Sequence, residues 1–218
     1  ANSGEVMFVK FDDTNFTNPT HVGTLGSGYS TLSKSLNLSS ILDDNDQFGG
    51  HVGLTKDGKI LAVGAQNDDG YGDNAANGGA VHLFTFDDSD FTNATYTASI
   101  GNKYEGNNGK DYDTTKISGW SAAQVAIDGD GNRLAIGHHN EEDVRVFGFE
   151  DTSLNGASLQ LTIGLGQTGS NSVNASSHGV EDGDGFPNVI ALDDTGTLMA
   201  VGSTCLLYTS PSPRDKHR

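Results

Sequence analysis

The feature that most constrains the fold is an internal repeat. Residues 79–93, GAVHLFTFDDSDFTN, and residues 4–18, GEVMFVKFDDTNFTN, are identical at eight of fifteen positions. A third, shorter copy, EDVRVFGFED, occupies residues 142–151. A chain that repeats a segment of this length builds one structural unit several times. The fold therefore follows from that unit and from the way in which successive units stack.

Two more series of segments repeat between these copies. The first is KILAVGA (59–65), NRLAIGH (132–138) and TLMAVGS (197–203), and the second is TLGSGYS (24–30), SIGNKYEG (99–106) and TIGLGQTG (162–169). Leu61, Leu134 and Met199 are 73 and 65 residues apart, because the loop at 66–78 is longer than its counterpart in the next unit. Short apolar runs with Gly, Asn and Asp between them are typical of antiparallel hairpins. Each unit is predicted to contain about four strands, one of them SAAQVAI at 121–127.

The alternation of side chains along the repeated strand indicates how it is buried. Val6 and Phe8 point to one side of the strand, and Met7, Val9 and Phe11 point to the other. Both sides are also apolar in the two later copies, which predicts strands covered on both faces within stacked sheets. One aromatic position recurs in all three copies and is predicted to fill the gap between neighbouring units: Phe11, Phe86 and Phe149.

The composition excludes several classes of function. Hydrophobic residues make up 34% of the 218 residues, 30 residues are Gly, and the formal net charge is -17. Such a charge repels phosphate backbones and anionic lipid, so it disfavours binding to nucleic acid or to a membrane surface. No apolar run approaches the roughly 20 residues of a membrane span. The composition suits an extracellular protein.

Residues 205–215, CLLYTSPSPRD, differ in character from the rest of the chain. They contain its one cysteine and two of its four prolines, and they resemble the translated sequence of a transposase adapter used in sequencing libraries. We therefore expect the authentic residues to end near Ser203 or Thr204, where the gene was read from a truncated contig, and residues 205–218 to be a non-native tail. Without Cys205 the chain has no cysteine, so no disulfide is expected to stabilise it.

The order F-G, L-A-V-G-A and G-A-V-H-L-F resembles FG-GAP repeats, which build the integrin-type β-propeller. It is more similar still to bacterial surface-protein repeats of unknown function, whose units read F-G-x-S-V, L-A-V-G-A and G-A-V-Y-L-F-x-F. The resemblance covers about residues 4–203. It implies an all-β, β-propeller-like fold of repeated four-stranded antiparallel sheets. The alternative is a β-sandwich or a stacked-sheet unit that a neighbouring chain completes.

The repeats divide residues 1–204 into parts of a single domain. The complete units span about 48–119 and 120–185, and partial units span about 4–47 and 186–204. The first partial unit lacks its opening strands, and the last lacks its closing strands. This suggests that Val6, Phe8, Val9 and Phe11 form an assembly strand that completes a sheet, within one chain or between copies.

The FG-GAP resemblance also implies calcium, which integrin repeats bind through an acidic D-x-D-x-D-G loop. The equivalent loop of this chain keeps alternate oxygen ligands only at Asp128, Asp130 and Asn132. A second acidic cluster precedes the aromatic residue that opens a unit, at Asp182 and Asp184 and, two units earlier, at Asp44 and Asp46. With the loop NDDGYGD (67–73), these clusters are further candidates for Ca²⁺ ligands.

Four sequons lie at predicted turns or loops, where an attached sugar would be exposed. The candidate glycosylation sites are Asn15, Asn37, Asn93 and Asn174. The acidic pairs at 12–13, 87–88 and 150–151 follow the repeated strand and are predicted to shape its exit turn. Neighbouring histidines in HHNEED (138–143) point apart in a strand, which disfavours a shared metal ion.

No nucleophile, zinc or nucleotide motif occurs in the sequence, so an enzyme is not expected. The favoured hypothesis is an extracellular structural protein. It would be a glycosylated subunit that forms a homopolymer by strand donation in a microbial surface fibre or adhesin. The alternative is a ligand-binding fragment of a larger, calcium-supported propeller at the cell surface.

Overall fold

A computed structural model describes residues 3–73, 76–104, 110–116 and 122–204. Two short 3-10 helices, Thr114–Lys116 and Ala175–His178, accompany the strands, and no helix in these ranges is long and apolar enough to cross a membrane. The strands are β1 (Glu5–Lys10), β2 (Thr20–Gly26), β3 (Leu36–Asn37), β4 (Phe48–Leu54), β5 (Ile60–Ala65), β6 (Ala80–Thr85), β7 (Thr95–Gly101), β8 (Tyr112–Asp113), β9 (Ala122–Ile127), β10 (Arg133–His138), β11 (Asp143–Gly148), β12 (Ser158–Gly164), β13 (Ser172–Asn174), β14 (Val189–Leu192) and β15 (Met199–Gly202).

The strands form four sheets that follow one plan. The second sheet (β4–β8) and the third (β9–β13) each contain four antiparallel strands in chain order. A short fifth strand, which the repeats did not predict, pairs in parallel with the fourth. The first sheet (β1–β3) has the last three strands of this plan, and the fourth sheet (β14–β15) has the first two. The all-β, propeller-like fold of repeated sheets is confirmed, as is the strand predicted at 121–127.

The acidic pairs shape the hairpin loop that follows the third strand of the unit, as predicted. Oδ1 of Asp13 accepts hydrogen bonds from the backbone N–H groups of Asn15 and Thr17, at 2.9 and 3.3 Å. Asp88 makes the same pair of bonds in the second sheet, and Asp151 makes them in the third. These carboxylates satisfy backbone donors that the hairpin leaves without a partner strand.

The same loop explains why the motif ends in F-T-N. Two loop positions have a left-handed backbone with positive φ, and asparagine or glycine tolerates this conformation best. The second of these positions holds Asn18, Asn93 and Gly156, with φ of 47, 52 and 63°. The first holds Phe16, Phe91 and Leu154, with φ of 59, 60 and 63°. Leu154 is buried and Phe91 stacks on Phe8, so packing offsets the backbone strain at these two positions, whereas Phe16 is 71% exposed.

Three apolar clusters hold the four sheets together, one between each pair of neighbours. Phe8 and Leu25 of the first sheet pack with Phe84 and Phe86 of the second. The opposite face of the second sheet packs on the third through residues such as Leu83 and Phe147, and the third packs on the fourth through Val146 and Ile190. Each complete sheet therefore contributes one face to each of two clusters.

Burial of the repeated strand confirms the two-faced prediction only where both neighbouring sheets are present. Every residue of β11 is buried, and only Thr85 of β6 is not. In β1, Phe8 is buried against the second sheet, whereas Met7 is 58% exposed. The prediction is wrong for β1, because among the described residues no sheet covers its other face.

The recurrent phenylalanine shows the same difference. Phe86 and Phe149 are 6% and 8% exposed and fill the gaps between sheets, as predicted. Phe86 meets Phe8 of the first sheet edge to face, with ring centroids 5.5 Å apart. Phe11 occupies the equivalent position but is 38% exposed and contacts Phe16 of its own loop. The expected interlayer role of Phe11 is therefore not seen within the chain.

This difference predicts unequal effects of one substitution at two equivalent positions. Phe86→Ala should lower the free energy of unfolding by about 3–5 kcal/mol, because it leaves a cavity between two sheets. Phe11→Ala serves as the matched control and should cost less than about 1 kcal/mol in the isolated chain. Urea unfolding followed by tryptophan fluorescence measures both. Equal losses at the two positions would contradict the stacking described here.

Candidate functional site

The first candidate site consists of two open strand edges. In the complete sheets the second and third strands pair with each other, as β5 does with β6. Among the described residues, β1 pairs along its length only with β2, and β15 pairs only with β14. One parallel bridge, between Gly4 and Phe48, covers the position just before β1. Within the described ranges, the edge of β1 beyond this bridge and the edge of β15 therefore have no partner strand.

The two open edges belong to strands that are neighbours in a complete sheet. β15 is equivalent to the second strand of a complete sheet, and β1 is equivalent to the third. In the third sheet Ile136 pairs with Arg145. The repeat alignment transfers this register to Val201 and Met7. A pairing of β15 with β1 would create the five-strand order β14–β15–β1–β2–β3, which matches a complete sheet.

The predicted assembly strand divides its side chains between two surfaces. Val6 and Phe8 face the second sheet and join its apolar cluster. Met7 and Phe11, with Phe16 from the adjoining loop, lie on the opposite, exposed surface. Val9 is half-buried. We call Met7, Phe11 and Phe16 the open aromatic face.

The open aromatic face has a buried counterpart in the second sheet. Phe86 and Phe91, equivalent to Phe11 and Phe16, enclose Phe8 of the first sheet, and the rings of Phe91 and Phe8 stack with centroids 4.4 Å apart. Leu161 and Ile163 of the third sheet are only partly buried, on the side that faces the two-stranded fourth sheet. Both ends of the stack therefore expose surfaces of the kind that its interior covers.

The predicted glycosylation sites fall into two structural classes. Asn15 and Asn93 lie exposed in equivalent hairpin loops. Nδ2 of Asn93, the nitrogen that would carry the sugar, donates a 2.6 Å hydrogen bond to Asp87. This bond holds the side chain against its own loop.

Asn37 and Asn174 end the short edge strands β3 and β13 and use their side chains alike. Oδ1 of Asn37 accepts backbone hydrogen bonds from Gly28 and Ser39 at 2.8 and 3.0 Å. Oδ1 of Asn174 accepts the same two kinds of bond, at 3.0 and 3.1 Å. Both side chains therefore have a structural role. Glycosylation at the four sites stays a prediction.

The residues predicted to bind calcium lie in several places. Asp44 and Asp46 precede β4 beside the predicted loop 67–73, where the Asn67 N–H donates to the Asp46 carbonyl oxygen at 3.1 Å. The other candidates lie in two separate turns. Asp128, Asp130 and Asn132 form the turn between β9 and β10, where Oδ1 of Asp128 accepts the N–H groups of Asn132 and Arg133 at 2.8 and 3.1 Å. Asp182 and Asp184 lie in the loop after β13, about fifty residues along the chain. In the described ranges, no group of three or more His, Cys, Asp or Glu residues is arranged to hold a metal ion. Calcium binding stays a prediction.

Sequence reasoning missed a cavity of about 510 Å³ between the first and second sheets. The segment 39–43 and the loop 70–73 form two of its walls, and Tyr96, Tyr104 and Asp111 complete it. The loop contributes Tyr71 and Asp73, and the segment contributes Asp43. The advance signals were the length and acidity of the loop 66–78 and the acidic cluster at Asp44 and Asp46, both of which the sequence suggested as calcium sites.

A buried polar network lies behind this cavity. The Nδ1 atom of His82 is 2.8 Å from Oγ of Ser99, and Nε2 is 3.1 Å from Oδ2 of Asp68. The Tyr104 hydroxyl donates to the same carboxylate. Burial alone would raise the pKa of Asp68, but hydrogen bonds from His82, Gly70 and Tyr104 hold it below its ordinary value. The carboxylate is therefore ionised and anchors the loop.

Serine, histidine and aspartate are also the components of hydrolase triads. In those triads serine contacts Nε2 and aspartate contacts Nδ1 of the histidine. The two contacts of His82 are exchanged, since Ser99 contacts Nδ1 and Asp68 contacts Nε2. His82 and Ser99 are fully buried, and the Tyr96 hydroxyl lies 2.5 Å from the Ser99 hydroxyl. A nucleophile must reach its substrate, so the arrangement as it stands supports the fold.

The histidines of HHNEED point apart, as predicted. His138 is fully buried and His139 is exposed. Nδ1 of His138 lies 2.8 Å from Oδ1 of Asp143, and Arg145 donates two hydrogen bonds to the other oxygen of that carboxylate. Burial lowers the pKa of His138, and the neighbouring Asp143 offsets only part of this effect. His138 is therefore neutral in the folded protein.

Comparisons with known proteins give weak similarities. No family model and no curated protein sequence matches the chain. Its fold is similar to that of the Pseudomonas aeruginosa periplasmic gluconolactonase PpgL, with 10% identity and a TM-score of 0.46 over 89% of this chain and 42% of that one. It is also similar to Saccharomyces cerevisiae Sqt1, with 12% identity and a TM-score of 0.35 over 56% of this chain and 24% of that one. The chain spans less than half of either structure's length.

Because His138 is neutral in the folded protein, we expect it to lower the free energy of unfolding as the pH falls. Its folded pKa lies below the unfolded value of about 6.5, so its contribution to stability is complete above that pH and is lost as the pH falls. The loss approaches about 1.4 kcal/mol per pH unit. Asp46 acts in the opposite sense, because burial raises its pKa to about 6 and its protonation favours the folded state.

The variant His138→Gln separates these contributions. Urea unfolding of both proteins at several pH values between 5 and 8 should show a shallower loss of stability for the variant below pH 6.5. Parallel curves for the two proteins would contradict a neutral, buried His138.

Proposed function

We propose that this chain is an extracellular structural subunit that assembles with other copies of itself at a microbial surface. In the assembly, β15 of one copy donates its open edge to β1 of the next. The observation that carries the proposal is the complementarity of the two edges. Together they would supply the second and third strands of one sheet, and the repeat alignment places Val201 opposite Met7.

The apolar surfaces support pairing between copies. If β15 and β1 pair as the second and third strands of a complete sheet do, the copy that supplies β1 stacks on the copy that supplies β15. The open aromatic face of the first copy then lies over the third sheet of the second copy, near Val146 and Leu161. This contact repeats the packing of Phe86 and Phe91 on the first sheet, because Val146 is the repeat equivalent of Phe8. It would cover the exposed Met7, Phe11 and Phe16 and the half-buried Leu161 in one step.

Pairing of the same two edges within one chain would leave only three sheets around an axis. Propellers typically have four to eight sheets, because fewer cannot surround an axis without crowding. Pairing between copies avoids this limit. Head-to-tail pairing that does not close into a ring produces a fibre. The high negative charge and the four sequons suit an exposed, glycosylated surface polymer.

Disulfide trapping tests the proposed register. We expect Met7→Cys and Val201→Cys, each made in a Cys205→Ser background, to form a mixed disulfide dimer when the two purified proteins are mixed and oxidised. Non-reducing electrophoresis detects the product. Ala200→Cys replaces Val201→Cys in the matched control and should not cross-link, because a shift of one residue turns the side chain to the opposite face.

The double variant with Met7→Cys and Val201→Cys in one chain distinguishes the assemblies. A ladder of cross-linked species supports the fibre. A single dimer band would instead indicate that two copies close a ring of six sheets, and it would overturn the polymer. A cross-linked monomer would show pairing within the chain. No cross-link in either experiment would refute the proposed edge pairing.

A further inference from the structure

The cavity between the first and second sheets has the features of a small-molecule site. Its volume is about 510 Å³, within the range of sites that hold small ligands. Three tyrosines contribute to its walls: Tyr71, Tyr96 and Tyr104. The rings of Tyr71 and Tyr104 meet at 70° with centroids 6.1 Å apart, so they form two sides of a corner.

Two of these tyrosines are fixed from behind. The Tyr104 hydroxyl bonds to the buried Asp68 carboxylate, and the Tyr96 hydroxyl lies 2.5 Å from Ser99. Tyr104 is buried and Tyr96 is half-buried, so both rings are held in place at the wall of the cavity. The buried His82 links Asp68 with Ser99 and so connects the two anchors. This wall is built before any ligand arrives.

The remaining walls carry negative charge. Asp43, Asp73 and Asp111 line the cavity, and none of its described lining residues is Lys, Arg or His. Oδ1 of Asp111 accepts the Ser99 N–H at 2.7 Å, which holds this carboxylate beside the tyrosines. The hydrogen bond with Asp73 is the main cause that raises the pKa of Asp43 to about 6, and burial adds to it. The walls therefore favour a ligand of positive charge.

We propose that this cavity binds a small organic cation, with its ammonium group against the tyrosine rings and its charge balanced by the three carboxylates. Aromatic faces attract ammonium groups through the ring quadrupole, and nearby carboxylates add a Coulomb attraction. A metal ion would need several close oxygen ligands, and the described residues offer no such cluster. The proposal does not depend on the assembly of the chain, since the cavity lies within one copy.

Choline and its neutral isostere 3,3-dimethyl-1-butanol test the proposal directly. Isothermal titration calorimetry on the full chain should show that choline binds at least about tenfold more tightly than the isostere, which has the same shape without the charge. Equal affinities would overturn the role of charge. No binding of choline at millimolar concentrations would overturn the site. Binding of CaCl₂ alone would show a metal site instead.

Three variants locate the site. Tyr71→Leu keeps an apolar side chain but removes the ring, and Asp73→Asn removes one carboxylate, so each should weaken choline binding by about three- to tenfold. Asp182→Asn is the matched control, because it removes one exposed charge from another loop and should leave the affinity unchanged. An equal loss in Asp73→Asn and Asp182→Asn would show an effect of net charge and not of this cavity. Circular dichroism confirms that each variant is folded.

Discussion

The rest of the structure depends on one constraint, which is that each complete sheet packs an apolar surface on both of its faces. In β11 all residues are buried, with Val144 and Val146 against one neighbouring sheet and Phe147 against the other. A sheet of this kind is stable only between two others, because either face alone would expose a broad apolar surface. The unit therefore folds only when it stacks, and each sheet that covers a neighbour has a second apolar face that another sheet must cover.

The ends of the stack follow from this constraint. The first sheet has one covered face and one open aromatic face, and the fourth sheet has two strands where the complete sheets have five. Open edges and exposed aromatic side chains occur together at these ends because both are covered by the same neighbour elsewhere in the chain.

The acidic residues illustrate how polar side chains serve the fold in a turn-rich protein. Asp13, Asp88 and Asp151 accept backbone N–H bonds in their hairpin loops, and Asp128 does so in the turn between β9 and β10. Carboxylate oxygens that already accept backbone N–H hydrogen bonds have fewer lone pairs left to bind a metal ion. The acidic surface of the chain therefore has a structural origin in many places, whereas the carboxylates of the cavity are gathered by the contact between two sheets.

Much of the fold could be predicted from the sequence because its determinants are local. Alternating apolar residues identify strands, and repeated Asp and Asn residues identify turns whose backbone they stabilise within a few residues. The cavity could not be predicted, since Asp43 and Asp73 belong to segments thirty residues apart that meet only when two sheets stack. The buried network of Asp68, His82 and Ser99 was missed for the same reason.

By itself, the sequence determined the repeating unit, the type and order of its main strands, and the turn role of its paired aspartates. Tertiary structure decided which copies of an equivalent residue are buried. Phe86 and Phe11 occupy the same position in the unit, yet one lies between sheets and the other is exposed. The physical reason is that side-chain direction is a property of the strand, whereas burial depends on whether a second apolar surface is present to exclude water.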